Sequence, residues 1–145
     1  MVKIMPARVA DAQLIRRLEA KVWGEEVVNK YDIPMLIRFG WAYVAKDGAN
    51  IVGAIYAYAT KDQEAFVSDW VVDKKYRGQD IGLKLYKKLI SSLKGRQIIS
   101  FINPKNKTSL EAHEKLGFKK AGLIANPYGL KSGIEGGDRI LVRHA

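Results

Sequence analysis

No cysteine occurs among the 145 residues. Disulfides and thiolate metal sites are therefore excluded, and no metal is expected. A run of about 18 apolar residues is also missing, so no membrane-spanning helix is expected. Segment 1–13 lacks the apolar core of a signal peptide, and the cytoplasm is the default location. Acidic residues are few: 15 Asp and Glu stand against 25 Lys and Arg, a formal net charge of +10. Such a surface attracts anions, whether nucleic acid, acidic protein or a polyphosphate ligand. The basic residues are spread along the chain, with small groups at Lys74-Lys75, Lys87-Lys88, Lys105 and Lys107, and Lys119-Lys120, which reads as a solvated surface. No helix-turn-helix and no clustered aromatic–basic stretch is present, so nucleic acid is not the expected partner. Internal repeats and low-complexity tracts are absent as well.

What is present is enough apolar residue to build a core, 48% of the chain, and a length that suits one domain spanning 1–145. The organising stretch is 66–90. Residues 66–72 are rich in β-branched and aromatic types and predict a buried strand. Strict alternation would put Asp69 on one face with Val67 and Val71, opposite Ser68 and Trp70. Gly82, Leu85, Tyr86, Leu89 and Leu93 follow at helical spacing and predict an amphipathic helix from Asp80, with that residue as a good N-cap. A strand turning through Arg77-Gly78-Gln79-Asp80-Ile81-Gly82 into a helix offers unpaired backbone N–H groups and a positive dipole end. That suits a phosphate, and equally it is a common strand–helix corner.

Around this centre, residues 2–8 alternate and predict a first strand ending near Pro6. Asp11 is placed to cap a helix reaching Val22, with Leu14, Ile15, Leu18 and Val22 on its apolar face. Glu25 and Glu26 read as a solvated pair. A shorter helix follows Asp32, with Pro34 in its first turn and Gly40 beyond its end. Residues 41–45 and 51–59 form a predicted hairpin turned at Asp47-Gly48. Gly95 ends the helix after the loop, and 97–102 predict another buried strand. Residues 120–125 and 139–143 predict the last two strands, with a Gly-rich, turn-like segment between them. His144, beside the C-terminus, is expected to be exposed.

The run 72–82 resembles the acetyl-CoA signature of the GNAT superfamily of N-acetyltransferases. Arg77, Gly78 and Gly82 match, and Asp80 stands where the family usually has glycine. A second run, Asn106-x-x-Ser109-x-x-x-His113-x-x-x-Gly117-Phe118, resembles the family's Asn-x-x-Ala/Ser-x-x-x-Tyr-x-x-x-Gly-Phe block, with His113 at the aromatic position. The two blocks follow in the family's order, about 30 residues apart, which is more specific than either alone. The resemblance implies an α/β (α+β) fold with a mixed, mostly antiparallel sheet of about seven strands flanked by about four helices. It implies acetyl-CoA as cosubstrate and a primary amine, on a small molecule or a protein, as acceptor.

By the same resemblance, the cofactor-binding residues would be Val72, Arg77, Gly78, Gln79, Asp80, Ile81, Gly82, Asn106, Ser109 and His113. The catalytic residues would be the Val72 amide as oxyanion donor, His113 near the thioester sulfur, and a base. The acceptor amine, with an ordinary pKa of roughly 10.4, must lose a proton before it attacks. The positions where relatives carry an acid hold Phe66 and Phe101 here. Asp69, an acid within an apolar strand, has a reason to be there, either as that base or as a paired structural carboxylate. Tyr128 and water-mediated deprotonation are the other routes. His113 is read either as a proton donor or relay, or as a helix histidine satisfied by a nearby carbonyl. Direct attack in a ternary complex fits a chain with no cysteine to carry an acyl group. The competing reading is a non-catalytic acyl-CoA-binding sensor or interaction module. Monomer and homodimer are both compatible with the sequence.

Overall fold

A computed structural model describes residues 1–24, 28–130, 133 and 136–145. Glu25 and Glu26 lie outside the described residues. Seven strands form one sheet: β1 Val2–Pro6, β2 Trp41–Asp47, β3 Asn50–Ala59, β4 Ala65–Val72, β5 Ile98–Ile102, β6 Lys119–Ile124 and β7 Arg139–His144, in the order β1-β2-β3-β4-β5-β7-β6. Among the described residues, four α-helices flank it: α1 Ala12–Trp23, α2 Asp32–Phe39, α3 Ile81–Ser92 and α4 Lys107–Lys115. None of these is long and apolar enough to cross a membrane.

The first four strands are an antiparallel meander. β5 then joins β4 in parallel, and β7 and β6 complete the sheet antiparallel. The helix between β4 and β5 is the crossover that a parallel pair requires. Each face of the sheet has its own core. Ala45, Val52, Ile55, Val67 and Ile98 pack beneath Leu85, Tyr86 and Leu89 of α3. On the other face, Val44, Ala54, Tyr56 and Val71 pack against Ile15, Leu18 and Val22 of α1 and Ile33 of α2.

Four expectations are corrected. Leu14 is 36% exposed, and the buried stripe of α1 is Ala12, Ile15, Leu18, Glu19 and Val22, one residue further round the helix. Asp11 makes no side-chain cap; its carboxylate accepts from Arg8 N at 2.8 Å and pairs with Lys46 at 3.0 Å. His144 is half-buried, its ring 5.2 Å from that of Phe118. Finally, Asp69 does not share a face with Val67. Tyr56 pairs with Asp69 and Ala57 with Val67, so Ser68 is an extra residue, a β-bulge. The bulge resets the alternation. Val67, Trp70 and Val72 pack on the α3 face, while Val71, with Asp69 beside Tyr56, lies on the α1 face.

Candidate active site

The loop into α3 is anchored before it turns. Asp73 Oδ1 accepts from Lys75 N at 3.0 Å, capping one turn of 3-10 helix over Lys74–Tyr76. Its Oδ2 accepts from Lys21 Nζ at 2.8 Å, tying the turn to α1, and that bond holds the carboxyl below its ordinary value. Tyr76 donates to Asp47 Oδ2 at 2.6 Å on the other side. Arg77 to Asp80 are exposed, Gly78 has φ 86° and Asp80 has φ 60°. The position where the resembling pattern has glycine is thus left-handed, and Asp tolerates that conformation better than most residues. Asp80 N-caps α3 by position, but its side chain makes no capping bond. Lys84 N donates to Asp80 O at 3.0 Å, so the amides of Ile81, Gly82 and Leu83 open the helix without an intrahelical acceptor. Trp70 Nε1 donates to Gly82 O at 3.0 Å, and a Cβ at Gly82 would stand 3.1 Å from Trp70 Cζ2. A larger residue there would require the tryptophan to shift by a few tenths of an ångström.

Beside this loop the sheet opens. The parallel register between β4 and β5 covers only Ala65–Ile98 and Phe66–Ile99. Beyond it, β4 continues along β3 alone. Asp73 N donates to Val52 O at 2.8 Å, and Val72 lies opposite Gly53. Bonded and non-bonded pairs alternate in an antiparallel ladder, so the Val72 N–H is directed away from β3, into the opening. Trp70 has the same parity, and its N–H is taken by Asp69 Oδ1 at 2.9 Å.

Asp69 belongs to a buried acidic group that sequence reading missed. The Tyr56 hydroxyl donates to Glu19 Oε2 and lies 3.2 Å from Asp69 Oδ2. Glu19 is fully buried on α1. Burial pushes the Asp69 carboxyl up from its ordinary value, opposed by hydrogen bonds with Glu19, the Trp70 amide and Tyr56. A carboxyl raised in this way is better matched to proton transfer near neutral pH. The signal in the sequence was an acid at the i+4 position from Ile15, inside an apolar stripe.

On the α3 face, α4 supplies the second block. Asn106 Oδ1 accepts from Ser109 N at 3.1 Å and caps the helix. His113 is buried, ringed by Trp70, Tyr86 and Phe118 at centroid distances of 5.3, 5.0 and 5.0 Å. Its Nδ1 is 2.8 Å from Ser109 O, an obligate acceptor, so Nδ1 carries the proton. Nε2 then accepts from the Tyr86 hydroxyl at 2.9 Å. Burial lowers the His113 pKa, with the Ser109 carbonyl opposing. An unfolded histidine takes up a proton near pH 6.5, which the folded chain resists. Folding stability should therefore fall as pH drops below that value, until the folded pKa is passed. Urea denaturation of wild type and His113→Gln at pH 7 and pH 5 checks this. The drop should be larger in wild type, and equal drops would refute it.

Trp70 thus touches both the loop, at Gly82, and His113 of α4 on the α3 face, whereas Asp69 lies across the sheet on the α1 face beside Tyr56. The family's model, described as Acetyltransferase (GNAT) family, matches residues 13–118. The chain belongs to the GNAT acetyltransferase family. These are acyltransferases that use acetyl-CoA. Among solved structures, the ribosomal-protein-S18-alanine N-acetyltransferase from Escherichia coli has a TM-score of 0.83 at 19% identity, covering 99% of this chain and 92% of that one. An N-acetyltransferase from Staphylococcus aureus Mu50 gives 0.83 at 14%, covering 99% and 97%. Arabidopsis thaliana Naa50, in complex with the bisubstrate analogue CoA-Ac-MVNAL, gives 0.80 at 19%, covering 99% and 98%. No curated protein matches the sequence. At these identities the likeness shows a shared GNAT fold.

Proposed function

We propose that this GNAT protein transfers an acetyl group from acetyl-CoA to a primary amine by direct attack in a ternary complex. The observation that carries this is the opening between β4 and β5, which has the Val72 N–H aimed into it and the unpaired amides of α3 at its rim. Acetyl-CoA, when bound, supplies the activated acyl group. The residues present suit it. The amides of Gly78 to Gly82 and the positive end of α3 match a pyrophosphate, with Arg77 beside them. Asn106 spends Oδ1 on its cap, which leaves Nδ2 as its donor to the cofactor, next to Ser109. The Val72 amide stabilises negative charge developing on the acyl oxygen.

Asp69 takes the proton from the acceptor amine, with Tyr56 and Glu19 fixing its orientation. His113 stays in the proposal as donor to the leaving sulfur. Its Nε2 accepts from Tyr86 and its Nδ1–H is taken by Ser109 O, so donation requires a protonated ring that exchanges the Tyr86 contact for the sulfur. The activity it carries should decline as pH rises above its lowered pKa. Phe66 and Phe101 have no ionisable group, and the upward-shifted carboxyl of Asp69 favours it over Tyr128 as the base.

Calorimetric titration of acetyl-CoA into wild type and Asp80→Gly tests the cofactor half of the reading. Glycine relieves a left-handed non-glycine residue and removes a negative charge near the pyrophosphate. Near the surface such a charge contributes on the order of 1 kcal/mol, so affinity should rise roughly three- to tenfold. Absence of binding in both proteins would overturn the proposal. Binding, followed by thiol release with some member of an amine panel, would support it over the sensor reading.

A further inference from the structure

The α1/α2 face of the sheet carries a row of aromatic rings perpendicular to the strands. Tyr58 of β3 lies 5.5 Å from Phe66 of β4, Phe66 lies 5.2 Å from Phe101 of β5, and Phe101 lies 5.9 Å from Tyr128. Phe66 and Phe101 stand at the two positions where the family pattern has acids. They contribute apolar floor instead. At one end of the row, Tyr58 also lines a cavity of about 510 Å³ between α2 and β3, together with Val28, Met35, Leu36 and Phe39. Phe39 is 82% exposed, Met35 46% and Tyr58 41%, an apolar surface that nothing else in the chain covers among the described residues. Ser68, the bulge residue next to Asp69 in the chain, is part of the same lining.

We infer that this cavity and row are the acceptor site, and that the acceptor is a small primary amine on an apolar, aromatic-sized substituent. The inference rests on the proposed function and specifies its substrate. Charge argues for the amine. In a chain of formal net charge +10, the charged residue among the cavity's described lining is Asp32, an acid. Asp69, the residue after Ser68, holds its carboxylate on the same face of the sheet, beside Tyr56. The far end of the row is covered by a cation, with the Arg139 guanidinium 5.6 Å from the Tyr128 ring. An ammonium group is thus drawn to the Asp69 end and turned away from the other, and aromatic faces add cation–π attraction.

Backbone pairing argues for a small molecule over a peptide. Tyr58 pairs with Phe66, Phe66 with Ile99, and Phe101 with Leu141. At Phe66, in the middle of the floor, the strand is paired on both sides, with β3 and with β5, so an extended peptide lying across the row would find no free sheet edge at that point. Its own polar groups would lie against aromatic rings unpaired. The volume falls within the range of about 300–1,000 Å³ usual for small-molecule sites.

The test is calorimetric titration of four probes into the full chain: 2-phenylethylamine, ethylamine, 1,4-diaminobutane and the amidated tetrapeptide Phe-Ala-Ala-Ala. 2-Phenylethylamine should bind about tenfold or more tighter than ethylamine, the margin expected from burying the ring. The Phe39→Ala and Met35→Ala variants change exposed side chains, so folding is not at risk. In each, that margin should shrink several-fold. Equal affinity for ethylamine, tighter binding of the diamine or the peptide, or an unchanged margin in both variants would each overturn the inference. Acetyl-CoA is titrated separately. Its failure to bind counts against the proposed function, whereas the amine titrations read the groove without it.

Discussion

Asp69→Asn is expected to lower kcat by roughly 10²- to 10⁴-fold, the usual contribution of a positioned proton acceptor, with little change in acetyl-CoA affinity. Asparagine keeps the size of the side chain, an oxygen for the Trp70 amide and an N–H for the Tyr56 oxygen, whose own proton goes to Glu19. What it loses is basicity. In wild type, activity should rise with pH through the raised Asp69 pKa, and this limb should vanish in the variant. Stability discriminates the structural alternative. Above the ordinary aspartate value of about 3.9, the folded chain still holds a proton that the unfolded chain releases, so this carboxyl costs stability as pH rises. The variant has no such titration. It should be no less stable than wild type at pH 7. A variant with wild-type kcat and reduced stability would mean that Asp69 serves only to pair with Tyr56 and Glu19.

Gly40→Ala should destabilise the fold by about 2–3 kcal/mol, lowering Tm by about 5–10 °C for a chain of this size. A Cβ at Gly40 would fall 2.3 Å from Ala57 O and 2.8 Å from Leu36 O. Both are backbone atoms, so no side chain can swing aside. Gly40 N donates to Leu36 O at 2.9 Å, and this closes α2 directly onto β3. The helix would have to lift, and with it Leu36 and Phe39 at the cavity wall. Thermal melts followed by circular dichroism measure the loss. Gly95→Ala is the comparison: its φ is 81° with nothing within 4 Å of the added Cβ, so it should cost only the left-handed strain, about 1 kcal/mol. Equal losses in the two variants would mean the contact at Gly40 relaxes.

Most of the architecture was legible because local signals and tertiary demands agree. The apolar period in α3, the Asp47-Gly48 turn and the glycine-bearing loop each say locally what the sheet requires globally. The same holds for the two blocks that identify the family. What was hidden depends on one inserted residue and on distant partners. Nothing in Phe66–Val72 marks Ser68 as a bulge, yet that residue moves Asp69 to the face where Glu19 and Tyr56 lie. Glu19 was visible as an acid within an apolar stripe, but its partner is 37 residues away. His113 aligned with an aromatic position, while its contact with Tyr86 follows from the packing of α4 on α3. The ring row joins β3, β4, β5 and the loop after β6, so no window of sequence contains it.

The two-pair junction of β4 and β5 also bears on how the molecule holds together. To its left are four strands whose ladders join chain neighbours, the kind of contact that forms early. To its right are three strands whose order departs from the order of the chain. Backbone continuity across the sheet passes through Ala65, Phe66, Ile98 and Ile99, so the rungs next to the opening are the natural place for local unfolding to begin. A molecule lodged there would bridge both halves where the protein has no rungs of its own. Occupancy should then appear as slower amide exchange in β5 and β7, strands remote from the phosphate loop, and the halves should come apart more readily when the opening is empty.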